Sequence, residues 1–347
     1  PTLLRNDASR WRGPLALPLL CAGPLLAVGI ARDLDALVRS AAVAETLGFL
    51  LVAWELAVYV ARAPSGRMLL ASRVGIALST LHAAAALAIG GALAERGFRP
   101  LWGIPHDRAI AVHLHLAALG WLTLLLVAVG RTLGPMLALA PAAPRRRAPV
   151  AEIALAAGTW LVVAGLARAS RPLELAGAAI VVAALTSFVT LVARVTREYR
   201  VAVPEGPLVH LAAGLFFLAE AAALGIGMAA GADVTSRRLV AYALLLLVGW
   251  AAGATLGHAV KLLSLSVWAW WPPGPRPKQG DLYSTRLAIA EAAGFALAVE
   301  LVAVGVIGGS TAAVAAGGAL LVGSALAACA GAAVTLCAGG AALRRLS

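Results

Sequence analysis

The sequence predicts an all-α, polytopic transmembrane bundle, and three observations carry that prediction. Of the 347 residues, 61% are hydrophobic and only 13% are charged, whereas average soluble domains carry roughly 25% charged residues. Apolar runs of about 20 residues, the length that crosses a bilayer core, recur along the whole chain. Short alternating strands of the kind that build a membrane barrel are not visible.

The runs resolve into ten spans. They lie roughly at 14–32, 41–62, 69–94, 108–134, 149–168, 172–195, 207–231, 238–267, 284–308 and 311–342. Each is closed by a polar, Gly-bearing or Pro-bearing break, as loops between helices are. The breaks are ARDLDALVRS, ARAPSGR, AERGFRPLWGIPHDR, APAAPRRRAP, ASRP, TREYRVAVPEGP, GADVTSRR, WWPPGPRPKQGDLYSTR and GGST. None is long enough for a soluble domain, so residues 1–347 read as one transmembrane domain. No fixed-period repeat is evident, which excludes a solenoid. The opening PTLLRNDASRWRGP lacks a cleavable signal pattern and reads as the approach to the first span.

The last span is crowded with small residues (Gly317, Gly318, Gly323, Gly331, Gly339, Gly340), which let helices approach closely in lipid. The three cysteines, Cys21, Cys329 and Cys337, all fall in apolar runs and form no C-x-x-C, so they read as small packing residues. Trp268, Trp270 and Trp271 read as an interfacial aromatic belt.

Net charge is +12. In a chain of this hydropathy the basic residues set topology rather than bind nucleic acid. With the N-terminus on the first side, that side receives 17 Lys and Arg and the other receives 9, with Arg131 and Lys261 left out near span ends. The positive-inside rule then puts both termini in the cytoplasm of a bacterial-type inner membrane.

Six histidines follow. His106 sits in the Pro-bearing IPHDR and reads as a solvated loop residue. His82, His113, His115, His210 and His258 lie within spans, where ionisable side chains are costly and face the bundle interior. At 1.5 Å per residue, His82, His113 and His115 fall in an outer layer and His210 and His258 in an inner one. His113 and His115 are two residues apart, so they point about 200° apart on one helix. They cannot chelate one ion together, but each can serve a site on its own side. Two flat cofactors flanking a helix need that arrangement. Buried acids are the other candidates: Glu55, Glu220, Glu291 and Glu300 can relay protons or bind quinol, with Lys261 beside them.

The pattern H-x-H-x4-G-W, as His113, His115, Gly120 and Trp121, followed by Gly130 and Pro135, resembles the tenth helix of heme-copper oxidase subunit I. A second segment, GWAAGATLGHAVKLLSLSVW around His258 and Lys261, is similar to small heme-copper-oxidase-like proteins and, more faintly, to haem- and copper-containing membrane proteins of the nitric oxide response. The resemblance implies that His113 binds a high-spin haem and His115 a low-spin haem. The two layers add that one or two haem b groups can be held, with His82 and His115 clamping an outer haem and His210 and His258, on separate spans at similar depth, an inner one. Arg131 reads as an interfacial anchor, with pairing to a haem propionate as the alternative. The chain has no His-His pair, so copper is not expected. The expected activity is electron transfer across or within the membrane, with a quinone or redox partner subunits. The rival readings are a nitric oxide- or oxygen-handling enzyme with His113 as its single proximal ligand, a haem-free transporter, and a structural subunit.

Overall fold

The computed structural model describes residues 19, 22–62, 70–96, 99–137, 149–198, 206–269, 271 and 277–344. The first part of the expected first span, Cys21, Trp270, Arg145–Arg147 and the loops around 65, 145, 203 and 275 lie outside them. Among the described residues the chain is helical, with no strand beyond one isolated bridge between Leu101 and Ile104. Nine helices among the described residues are long and apolar enough to cross a membrane. The protein is a multi-pass helical membrane protein.

Packing gathers the chain into two compact units, Pro1–Glu198 and Tyr199–Ser347. In the first, α1 (Gly23–Ala31) is joined to α2 (Asp35–Arg62) by a tight turn through Asp33, whose φ of 55° is left-handed. The ARDLDALVRS break is thus mostly helix: Asp35 opens α2 and only about three residues turn. Next come α3 (Leu70–Arg96) and then α4, built of an α stretch His106–His115, a π stretch Leu116–Thr123 and an α stretch Leu124–Leu137. His106 is the first residue of α4, after Pro105, rather than a loop residue. Proline there fixes the dihedral that enters a helix and lacks only an amide that would have no partner anyway. The unit closes with α5 (Val150–Arg168) and α6 (Arg171–Glu198).

The second unit has four helices. They are α7 (Gly206–Ala229), α8, α9 (Thr285–Gly308) and α10 (Thr311–Arg344). Helix α8 is again composite, with an α stretch Ser236–Leu244, a π stretch Leu245–Ala252 and an α stretch Gly253–Ala269.

One order therefore occurs twice: a plain helix, a helix interrupted by a π stretch, then a hairpin. Both π stretches contain a Gly-Trp pair, Gly120-Trp121 and Gly249-Trp250. Both hairpins turn on a single left-handed residue, Ala169 (φ 55°) and Gly309 (φ 72°). Their helices touch through glycine: Gly158 faces the Gly177 carbonyl, and Gly317 faces the Ala298 carbonyl. A Cβ at any of the three glycines would press on facing backbone, so the small side chain is what sets the close approach.

Large apolar side chains point outward along the spans, among them Leu25, Ile30, Val43, Trp54, Leu81, Leu297, Val322, Leu326 and Val334. Water would penalise such a surface; hydrocarbon does not. Of the six small residues noted in α10, Gly317 packs on Val302, and Gly339 packs on Val267 of α8. Gly318, Gly323 and Gly331 face open space. Cys329 and Cys337 are exposed, not packed. A helix buries only the stripe that meets its neighbours, and those positions lie on its outer face. Trp268 ties the following segment by donating its indole N–H to the Pro277 carbonyl at 3.0 Å.

Candidate site: buried histidines and carboxyls

In the first unit, α3 and α4 run antiparallel in a register that contacts fix at three levels. Ser72 donates to the Ala128 carbonyl at 2.6 Å. The His82 ring lies on Gly120, where any Cβ would overlap it. His113 donates from Nδ1 to the Ala86 carbonyl at 2.9 Å and sits over Gly90, where a Cβ would come 2.7 Å from its Cε1. Glycine at 90 and 120 is what lets two imidazoles lie between these helices.

His82 is fully buried. Its Nδ1 donates to the Leu78 carbonyl at 2.8 Å. Its ring is 5.0 Å from that of Trp160 on α5. Its Nε2 is buried on the α5 side, near the Ala156 carbonyl, without closing a well-formed hydrogen bond. His115 donates from Nδ1 to the Ala111 carbonyl at 2.7 Å. Two residues beyond His113, it leaves α4 on the side away from the Ala86 and Gly90 contact. The structure thus groups His82 with His113 along the α3–α4 seam and sets His115 apart from both.

Below the histidines lies a buried ion pair that sequence reading missed. Arg131 is paired with Glu152, and both side chains are buried. Arg131 also reaches Ser187 at 3.5 Å. It is an interior cation with a carboxylate partner, not an anchor at the membrane surface. Glu152 falls two residues after the start of α5, directly after a Pro- and Arg-rich break, where an acid reads as a loop charge. The available signal was its place in the first turn of a helix, where carboxylates favour the positive end of the dipole. Glu55 lies half-buried on α2.

In the second unit, His210 on α7 is buried, with 1% of its surface exposed. It donates from Nε2 to Glu291 on α9 at 2.7 Å. Gly253 and Gly257 of α8 close over it, and Phe295 stacks edge-on with ring centroids 5.4 Å apart. Farther along the same two helices, the carboxyl groups of Glu220 and Glu300 face each other. His258, on α8, donates from Nδ1 to the Ala254 carbonyl at 2.7 Å. Lys261 is half-buried one turn on.

A carbonyl only accepts, so the neutral rings of His113, His115 and His258 carry their proton on Nδ1, whereas His82 has a carbonyl near each ring nitrogen. Metal-bound histidines are commonly held in the first way, with the other ring nitrogen bonded to a carbonyl or carboxylate. Iron ligation through Nε2 therefore fits the tautomer of these three. It does not fit His210, whose Nε2 is engaged with Glu291. Among the described residues no cluster of three or more His, Cys, Asp or Glu side chains could hold a bare metal ion. A haem site needs only one or two imidazoles and is not addressed by that.

No protein-family model, no curated protein and no solved structure matches the chain. The fold and these groups define a multi-pass helical membrane protein whose interior holds histidines, carboxyls and one arginine ion pair.

Proposed function

We propose that the chain is a haem b-binding membrane protein that carries electrons across or within a bacterial-type inner membrane, alongside a quinone or redox partner subunits. The observation that carries this reading is the build of α4. It presents two histidines on opposite sides, both with Nδ1 tied to a carbonyl, directly before a π stretch. Single π turns inside α-helices are frequent at functional sites. The other segment with an oxidase-like pattern, around His258, also follows a π stretch.

In this reading His113 and His115 hold iron, with His258 the candidate in the second unit. His82 packs on Gly120 and Trp160 and fixes the α3–α4–α5 junction. Arg131 is taken by Glu152, which leaves it no free charge for a propionate. The haem would supply one-electron redox chemistry, while burial and axial ligation set its potential. The chain supplies imidazoles of fixed tautomer and a low-dielectric surround.

The test is an optical spectrum of protein expressed with ample haem. Reduced-state α and β bands of haem b are expected, and His115→Ala should remove the low-spin component. A colourless preparation, or spectra unchanged in both His113→Ala and His115→Ala, rejects the reading. A spectrum shifted by carbon monoxide would assign an open coordination position and move the reading toward a gas-handling enzyme.

A further inference from the structure

Helices α7 and α9 run parallel, and their seam carries ionisable side chains at two levels. His210 and Glu291 form the first, four and six residues into their helices, or about 6–9 Å at 1.5 Å per residue. Glu220 and Glu300 form the second, about 14 Å farther along both helices.

Neither level looks like a finished structural pair. His210 and Glu291 are both more than nine-tenths buried, yet His210 Nδ1 and Glu291 Oε1 each lack a hydrogen-bond partner. Leaving two such atoms orphaned in a low-dielectric interior is costly. A group retained at that cost is explained by a proton or water that reaches it. At the second level two carboxyls face each other, and Oε2 of each is buried without a partner. Two negative charges so close repel strongly in low dielectric, which makes the pair a proton acceptor.

Among the described residues, no salt bridge ties His210 or Glu291 to a Lys or Arg. Helix α8 faces it with Gly253 and Gly257 and carries His258 and Lys261 beyond them. Farther along, Tyr242 of α8 packs on Gly225, about one turn past Glu220. Helix α10 presents Ser324 to Gly294. Between the levels, Gly214 and Phe217 of α7 pack on Trp250 and Gly249 of α8, and the Ala298 carbonyl of α9 faces Gly317 of α10.

We propose that the α7–α9 seam is a proton-carrying row, with His210–Glu291 and Glu220–Glu300 as its two stations. A proton arriving at one station is accepted on a free carboxyl oxygen or on His210 Nδ1. The station releases its own proton to water between the levels, so each station returns to its starting charge. The row does not depend on iron, so it stands or falls separately from the haem reading.

The experiment reconstitutes the full chain into liposomes enclosing a pH-sensitive dye and imposes a potassium diffusion potential with valinomycin. Wild type should acidify or alkalinise the lumen faster than protein-free vesicles, independently of sodium. Glu291→Gln and Glu300→Gln should each lower that rate by about tenfold or more, as removal of a positioned proton-transfer group does. Glu291→Asp and Glu300→Asp should recover part of it. Glu95→Gln, at an exposed acid of the first unit, should leave it unchanged. Infrared difference spectra on a pH step should show a protonated-carboxyl band that Glu300→Gln removes, which a purely structural role would not produce in step with flux. The proposal is overturned if wild-type flux equals that of empty vesicles, if well-folded Glu291→Gln conducts like wild type, or if flux requires sodium.

Discussion

Single residues decide how the histidines are held. Gly120 is the seat of the His82 ring, so Gly120→Ala forces an overlap inside a packed seam. The expected loss is about 1–3 kcal/mol, typical of overpacking, and thermal unfolding in detergent measures it. Gly90→Ala pushes instead on His113; it should perturb any haem spectrum while leaving helix content intact by circular dichroism. The Arg131–Glu152 pair is read best by a cycle. Glu152→Gln or Arg131→Met alone leaves a buried charge without its partner, at about 3–5 kcal/mol. The double replacement Arg131→Met with Glu152→Met should recover most of that loss, since a buried pair is worth little against well-packed apolar side chains. At this scale the sequence showed which histidines lie within spans, because an imidazole stands out in an Ala-Leu run, although only His82 and His210 are fully buried. It did not show their partners. His210–Glu291 links positions far apart in the chain, and Glu152 wore the appearance of a loop charge.

Among the elements, the long apolar runs made helix existence and approximate length readable, and every described span but the first has a matching long helix. The first is described as helix only over Gly23–Ala31. The π stretches were not readable. A widened turn shifts the apolar stripe by a fraction of a residue per turn, and an all-apolar run has no stripe to shift. The stretch Leu116–Thr123 sets the phase between His113 and His115 before it and Arg131 after it. Deleting Ala117 removes the one extra residue that a widened turn absorbs, so the stretch should return to α geometry with both flanks close to their present phase. Total helicity and cooperative unfolding, measured by calorimetry, should both hold.

For the whole molecule, membrane residence was legible from composition alone, and the helix count followed from it. The recurrence of one element order in both units was not, because it is written in a Gly-Trp pair and two hairpin turns rather than in a periodic sequence. Orientation is the matching prediction. The excess of Lys and Arg on alternate loops implies that reporter fusions at 65, 145, 203 and 275 and at the C-terminus report cytoplasm, and that fusions at 33, 169, 232 and 309 report the opposite side. Alkaline phosphatase and green fluorescent protein fusions measure this as a complementary pair.

The two hairpins constrain how the chain enters the bilayer. Ala169–Ser170 and Gly309–Ser310 are links of two residues, too short to let one helix settle while the next waits in water. A nascent chain halted at residue 168 leaves the notches at Gly158 and Gly165 unfilled; only arrival of α6 supplies the backbone that fits them. Biogenesis therefore delivers α5 with α6, and α9 with α10, as joined pairs, and a charge placed in either link would have to be dragged across with both.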